Sequence, residues 1–342
     1  MTTTRSWARR VAIAMIGGWL AFAAATAAAG ELRVGFIPVA GVAQLFVIEG
    51  EGWDREAGLE LKPTQFESGP AMISALASGT LDAYYGGIGP ILVASGRGID
   101  VKVVAATAVE EMTVVGRGRF AELAASDVAA GLRAFAAKEG RPVRIASQPA
   151  GSVPDTVLRY WLAKTVKADP ATYDIVPMGI EQTQQALLAG AVDAASIREP
   201  TLTLVLDRDP AVKLLAVGGQ MMADQPGSVL AVTGEFIRRD PEAVATLVAL
   251  HERATRMLRE HPETAAPHLQ KGLGKGIVPV EIYRRALTSP ASNFVADPDR
   301  IRAATGVMQA FQVGLGVLKS PADLDAIFDN AFYKRAIGTA AR

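Results

Sequence analysis

A nine-residue phrase occurs twice in this chain and restricts its fold more than any other feature. Ala75-Leu76-Ala77-Ser78-Gly79-Thr80-Leu81-Asp82-Ala83 is echoed, 111 residues on, by Ala186-Leu187-Leu188-Ala189-Gly190-Ala191-Val192-Asp193-Ala194. That offset is far longer than a solenoid repeat and close to the size of one domain. Each copy reads as the end of an apolar-faced helix, a glycine in the left-handed position beyond it, and a short buried strand. Predicted strands at 59–66 and 173–176 lead to helix starts at Ser68-Gly69-Pro70 and Met178-Gly179 ahead of the two copies. A loop is expected after each: Gly86-Gly87-Ile88-Gly89-Pro90 in the first, Ile197-Arg198-Glu199-Pro200 in the second. Two α/β units that point such loops at each other enclose a cleft, where small ligands bind.

The 342 residues suit about two domains, and 50% hydrophobic content allows each a core. Lys and Arg total 35, as do Asp and Glu, so the chain lacks the basic surface that a nucleic-acid partner requires. Attraction for a charged ligand must therefore be local. Residues 1–29 read as a secretory signal peptide: Arg5, Arg9 and Arg10, an apolar run over 11–22, then Ala27-Ala28-Ala29 before the expected cleavage. The apolar run is too short for a comfortable membrane span. With no cysteine there is neither a disulfide nor a lipid attachment point, so an unanchored periplasmic protein held by packing alone is expected.

The remaining chain alternates strand and helix. Strands are predicted at 31–38, 60–66, 81–85 and 101–107, with helices at 42–50, 69–78 and 90–97 between them. A second series has strands at 112–116, 143–146, 173–176, 192–197 and 212–217, with helices at 120–138, 153–167, 180–189 and from 200. This order predicts an α/β protein of two lobes, each with a mainly parallel central sheet covered on both faces. Interdomain crossings are expected at 108–111 and 218–227, with 229–233 pairing antiparallel to 112–116. Helices at 242–260, 280–286, 297–313 and 323–328 complete the first lobe. The expected lobes are thus 30–109 plus 237–342, and 110–236.

Four predicted strand-to-helix junctions offer free N–H groups and the positive end of a helix dipole: Val39-Ala40-Gly41, Ser68-Gly69-Pro70, Gly87-Ile88-Gly89-Pro90 and Pro149-Ala150-Gly151-Ser152-Val153. Gly and Pro also merely punctuate turns, so no single junction is decisive. Gln44 lies just inside the first of these helices. Arg198, after the strand 192–197, could hold an anion in bidentate fashion, and its loss would then weaken binding more than tenfold with the fold intact. Alternatively it pairs with the neighbouring Glu199 or with Asp193. Glu110 and Glu111 could hold an amine or simply form a solvated hinge. Gln148 and Ser152 could bond the ligand or cap a helix. His251, His261 and His268 fall in the C-terminal third, where Pro262 and Pro267 are expected to break the helix, so a three-histidine metal site is disfavoured. Gly272-Leu273-Gly274-Lys275-Gly276 lacks the phosphate-loop pattern, and there is no G-x-S-x-G. Neither catalysis nor a cofactor is expected.

Leu32-Arg33-Val34-Gly35-Phe36, Gly52-Trp53, Glu56-Ala57-Gly58-Leu59, Phe66-Glu67-Ser68-Gly69, the first repeat phrase, Val101-Lys102-Val103-Val104-Ala105 and Glu199-Pro200 resemble the nitrate/sulfonate/taurine family of ABC-transporter substrate-binding proteins. So does the ending Ala322-Asp323-Leu324 with Phe328-Asp329-Asn330-Ala331-Phe332. The resemblance covers nearly all of 31–337, with Arg198 where an aromatic is common and a longer stretch at 126–142. It implies a type II periplasmic-binding-protein fold. It also implies a monomer that closes on a small, anionic organic solute and delivers it to the membrane permease of an ABC importer. A ligand-sensing subunit of the same fold is the alternative.

Overall fold

The repeated phrase marks equivalent places in two sheets. The computed structural model describes residues 30–340, so the predicted signal peptide lies outside the described residues. The strands are β1 (Gly30–Phe36), β2 (Leu59–Gln65), β3 (Ala83–Gly87), β4 (Val101–Ala106), β5 (Ala108–Val109), β6 (Thr113–Arg117), β7 (Val143–Ser147), β8 (Tyr173–Pro177), β9 (Ala194–Ile197), β10 (Val212–Val217), β11 (Ser228–Thr233) and β12 (Asn293–Phe294). One sheet has the order β2-β1-β3-β11-β4 and the other β8-β7-β9-β6-β10. Each has four strands in one direction and a single antiparallel one, β11 or β6, in the fourth place. Helices cover both sheets.

The register repeats with the order. Val34 pairs with Ala83 and Ile145 with Ala194, each partner displaced by the same 111 residues. This explains why an aspartate closes both phrases. The Arg33 N–H donates to Asp82 Oδ2 at 3.1 Å and the Arg144 N–H to Asp193 Oδ2 at 2.8 Å. In return each aspartate N–H donates to the arginine carbonyl at 2.9 Å. Both aspartates thus clasp the start of a strand to its neighbour, and arginine side chains reinforce them: Arg33 and Arg239 on Asp82, Arg141 on Asp193. Burial pushes the Asp82 carboxyl up, but the bonds from Arg33 and Arg239 outweigh it and hold the group below the usual carboxylate range. Asp82→Ala should lower the free energy of unfolding by roughly 2–3 kcal/mol, since it removes several charge-assisted bonds at a buried acceptor. A urea titration showing a loss below ~0.5 kcal/mol would mean that water replaces the clasp at no cost.

Three expectations are corrected. The strand expected to pair with 112–116 instead lies between β3 and β4, with Leu230 opposite Tyr85 and Ala105. Residues 228–233 therefore belong to the first sheet. Between Gly86 and Pro90 there is no loop: β3 runs to Gly87 and the helix Ile88–Gly96 starts at the next residue. The glycines serve close packing, since a Cβ on Gly86 would lie 2.8 Å from the Tyr84 hydroxyl and one on Gly87 2.7 Å from Val153. Pro262 breaks the helix as expected, since Pro241–Glu260 ends before His261, whereas Pro267 does not. Pro262 opens Pro262–Gly272, where its missing N–H costs nothing, and Pro267 is accommodated inside it on an exposed position.

The two crossings lie side by side. The Glu110 N–H donates to Gln225 O at 2.8 Å, Met112 N–H to Gln225 Oε1 at 3.2 Å, and β12 pairs with β5 alongside. Glu110 accepts from the Asp224 N–H at 2.9 Å, so its carboxylate ties the crossings together. His251 is a core histidine: Nε2 lies 2.7 Å from Ala106 O and Nδ1 3.0 Å from the Tyr85 hydroxyl.

Candidate functional site

Segments at the ends of the strands meet in pairs across the two units. After β1 and β9, the Ala40 N–H donates to Glu199 O at 2.8 Å. After β2 and β8, Glu67 Oε2 comes within 3.2 Å of where a Gly179 Cβ would stand. At β3 and after β7, Gly87 packs on Val153, and a Gly89 Cβ would fall 2.6 Å from Gly151 O. The carboxyl ends of the parallel strands thus face one another, the position in which α/β sheets bind ligands.

At the floor lies a buried ion pair. Arg198 Nη1 is 3.1 Å from Glu111 Oε1, and each side chain is 2% exposed. Ser228 donates to the same Oε1 at 2.8 Å. Gly41 and Gly227 make room for the carboxylate, since their Cβ atoms would lie 1.8 Å from Oε2 and 2.9 Å from Oε1. Two atoms of the pair, Glu111 Oε2 and Arg198 Nη2, are buried with no protein partner. Ser147 Oγ at the end of β7 and Ser196 Oγ in β9 are in the same state. A buried polar atom without a partner costs about 1–3 kcal/mol, so each of these atoms is costly as it stands. Tyr84 stands close by, its phenol held in the neutral form by burial while Arg198 opposes that shift; it donates to Gly87 O at 2.9 Å.

The other candidates divide. Val39, Ala40, Gly41, Gly69, Gly87, Ile88, Gln148, Gly151 and Val153 are buried on the facing segments, with Pro70 half-buried beside them. Ser68 and Ser152 are helix caps, accepting from the Ala71 and Asp155 N–H groups. Gln44 turns into the first core, where its amide donates to Thr107 O at 2.9 Å and Thr255 Oγ1 at 3.2 Å. Glu199 also turns away: it accepts from the Thr203 N–H and hydroxyl at 3.0 Å each, and burial raises its carboxyl against those bonds. Arg198 pairs with neither Glu199 nor Asp193. Its partner is 87 positions away, which local spacing could not reveal. Ser147 and Ser196 were missed; only their places near the ends of predicted strands hinted at them. Among the described residues no group of three or more His, Asp or Glu could hold a metal, and no helix is long and apolar enough to cross a membrane.

This is the architecture of a two-lobed binding protein of the type II periplasmic fold. The chain belongs to the NMT1-like family, whose model matches residues 25–270. A Brucella abortus relative named as a binding protein is 27% identical over 301 residues, covering 85% of this chain and 88% of the relative. One from Bacillus subtilis, named as an aliphatic sulfonates-binding protein, is 25% identical over 313 residues, covering 90% and 88%. The nitrate-binding protein NrtA of Synechocystis PCC 6803 superposes with a TM-score of 0.78 at 15% identity, covering 90% of this chain and 88% of its own. The alkanesulfonate-binding protein SsuA of Xanthomonas axonopodis, solved with MOPS, gives 0.70 at 20% identity, covering 88% and 98%.

Proposed function

We propose that this protein is a periplasmic solute-binding component of an ABC importer, capturing a small organic solute of the sulfonate-, carboxylate- or nitrate-like kind and presenting it to a membrane permease. The observation that carries this reading is the cleft floor, where Arg198 keeps one buried guanidinium nitrogen without a protein partner at the meeting of both units. The sulfonate- and nitrate-binding names among relatives of the same fold support the solute class. Export by a signal peptide cut near Ala29, action as a monomer, and binding without catalysis belong to the same reading.

Closure is the mechanical core of the proposal. A ligand touching both units favours the state in which they meet, because only that state makes both sets of contacts. The paired crossings at 108–112 and 222–227 are the hinge in this reading. Saturation with a bound sulfonate, carboxylate or nitrate should reduce the radius of gyration in X-ray scattering. A solute bound with micromolar affinity that leaves the scattering profile unchanged would replace the clamp by a rigid pocket.

A further inference from the structure

We infer that Gln312 and Gly89 form a latch across the seam between the units: they set how often the units stand closed before any solute arrives, and so scale the affinity for every solute alike. The inference rests on the binding-protein reading above and adds to it the residues that position the cleft-side junction 149–153. Gln312 lies in the last turn of the helix Asp299–Gly314. That turn is moored to the first unit. The Val317 and Leu318 N–H groups donate to Gln312 O at 3.0 and 3.3 Å, and Leu318 comes within 3.7 Å of where a Gly96 Cβ would stand. Further on, the Asp329 N–H donates to Val103 O of β4 at 2.9 Å. The Gln312 side chain serves the second unit instead. Its Nε2 donates to Thr156 Oγ1 at 3.0 Å and, more weakly, to Gly151 O at 3.4 Å. Thr156 gives its own hydroxyl hydrogen to Ser152 O at 2.9 Å, so it can receive the amide and pass the hold on to the turn that caps Val153–Tyr160. Phe311 adds an edge-on contact with Tyr160, the ring centres 5.3 Å apart.

Gly89 makes this approach possible. A Cβ on it would stand 2.6 Å from Gly151 O, 3.2 Å from Gln312 Nε2 and 3.4 Å from Ser152 C. Two of those three atoms belong to the second unit, so a methyl at 89 has to push the units apart. Alanine suits the helix Ile88–Gly96 better than glycine does, and the objection to it comes from across the seam. The latch is also weak by construction. Gln312 is fully buried, yet its Oε1 has no protein partner. Opening breaks the bond to Thr156 but returns that oxygen to water, and the two effects offset. Such a contact shifts an equilibrium and does not lock one state. A solute that needs the closed state binds in proportion to its population, so losing the latch raises every apparent Kd by the same factor.

The test needs no solute. The chain has no cysteine, so Thr64→Cys on β2 and Asp174→Cys on β8, both exposed, take one spin label on each unit of the mature protein. Pulsed electron resonance then reads the ratio of short (closed) to long (open) distances. In the unaltered background both distances are expected. Thr156→Val and Gln312→Leu should lower the closed-to-open ratio about fivefold, the worth of one net hydrogen bond. Gly89→Ala should lower it at least about tenfold by overpacking the seam. Thr156→Ser, which keeps the hydroxyl, should stay within about twofold of the unaltered ratio, as a merely structural role for the site would not predict. Should one variant fail to fold, the others decide. A background that shows only the long distance overturns the latch, and so does a ratio that none of the variants moves. If the background shows only the short distance, Gly89→Ala decides: a long-distance population supports the latch and an unchanged distribution overturns it. Compaction by solute in the scattering experiment leaves the binding-protein reading standing in either case, and its failure there leaves the measured latch standing.

Discussion

Replacing Arg198 by alanine should lower the free energy of unfolding by roughly 3–5 kcal/mol, the cost of stripping one partner from a buried ion pair. Glu111 would be left 2% exposed, with only the Ser228 hydroxyl to answer its charge. The sequence-based expectation that R198A leaves the fold intact is therefore replaced: stability and binding should fall together. Urea denaturation at neutral pH measures the first and calorimetry the second. A double variant, R198M with E111L, removes both charges while keeping apolar volume, and should recover most of the stability without restoring binding. If R198A alone costs less than ~1 kcal/mol, water reaches Glu111 and the pair is not desolvated in solution.

A single buried imidazole should also make its own contribution to stability, lost between about pH 6.5 and pH 4. Burial drives the His251 pKa down from 6.5 to about 4, against the bond to Ala106 O that favours the charged form. The neutral ring suits its site: Nε2–H donates to Ala106 O, and Nδ1 accepts from the buried Tyr85 hydroxyl. Because the folded pKa is lowered, the unfolded chain takes up the proton first as pH falls. The stability is thus fully present above about 6.5 and lost progressively towards 4, on the order of 3 kcal/mol in all. Glu49, raised by burial to about 7, works in the opposite direction, so the difference between the natural protein and His251→Gln isolates the histidine. H251Q should be less stable at pH 7.5, and the difference between the two proteins should shrink by about 3 kcal/mol from pH 6.5 down to pH 4. Parallel profiles would mean that His251 titrates normally.

Local patterns carried far in this chain. The phrase at 75–83 and its echo read as helix end, glycine and strand, and they occupy equivalent positions in the two sheets, with Gly79 and Gly190 both at positive φ. Helix starts at Ser68 and Ser152 were legible because a capping hydroxyl before Gly-Pro or Val-Pro leaves little alternative. The sheet to which β11 belongs was not legible. Its Val229, Leu230, Ala231 and Val232 are buried on both faces, and such a run fits the interior of either sheet equally well. The Glu111–Arg198 pair was hidden for a related reason. Each residue sits beside another of plausible role, Glu110 or Glu199, and only the fold shows that those two are spent on the crossing and on a helix cap.

The placement of β11 also orders the assembly of the chain in time. All five strands of the second sheet come from one uninterrupted stretch, 113–217, so that unit can complete its sheet from its own residues. The first sheet cannot: β3 and β4 have a gap between them until residues 228–233, more than a hundred positions later, arrive to fill it. Pairing across so long a loop is slow, because the entropy of closing it is spent before the contacts repay it. A chain emerging N-terminus first would therefore form its inner unit while the outer one still exposes the facing edges of β3 and β4. That interval, rather than the finished protein, is when this sequence is most open to pairing with a strand that is not its own.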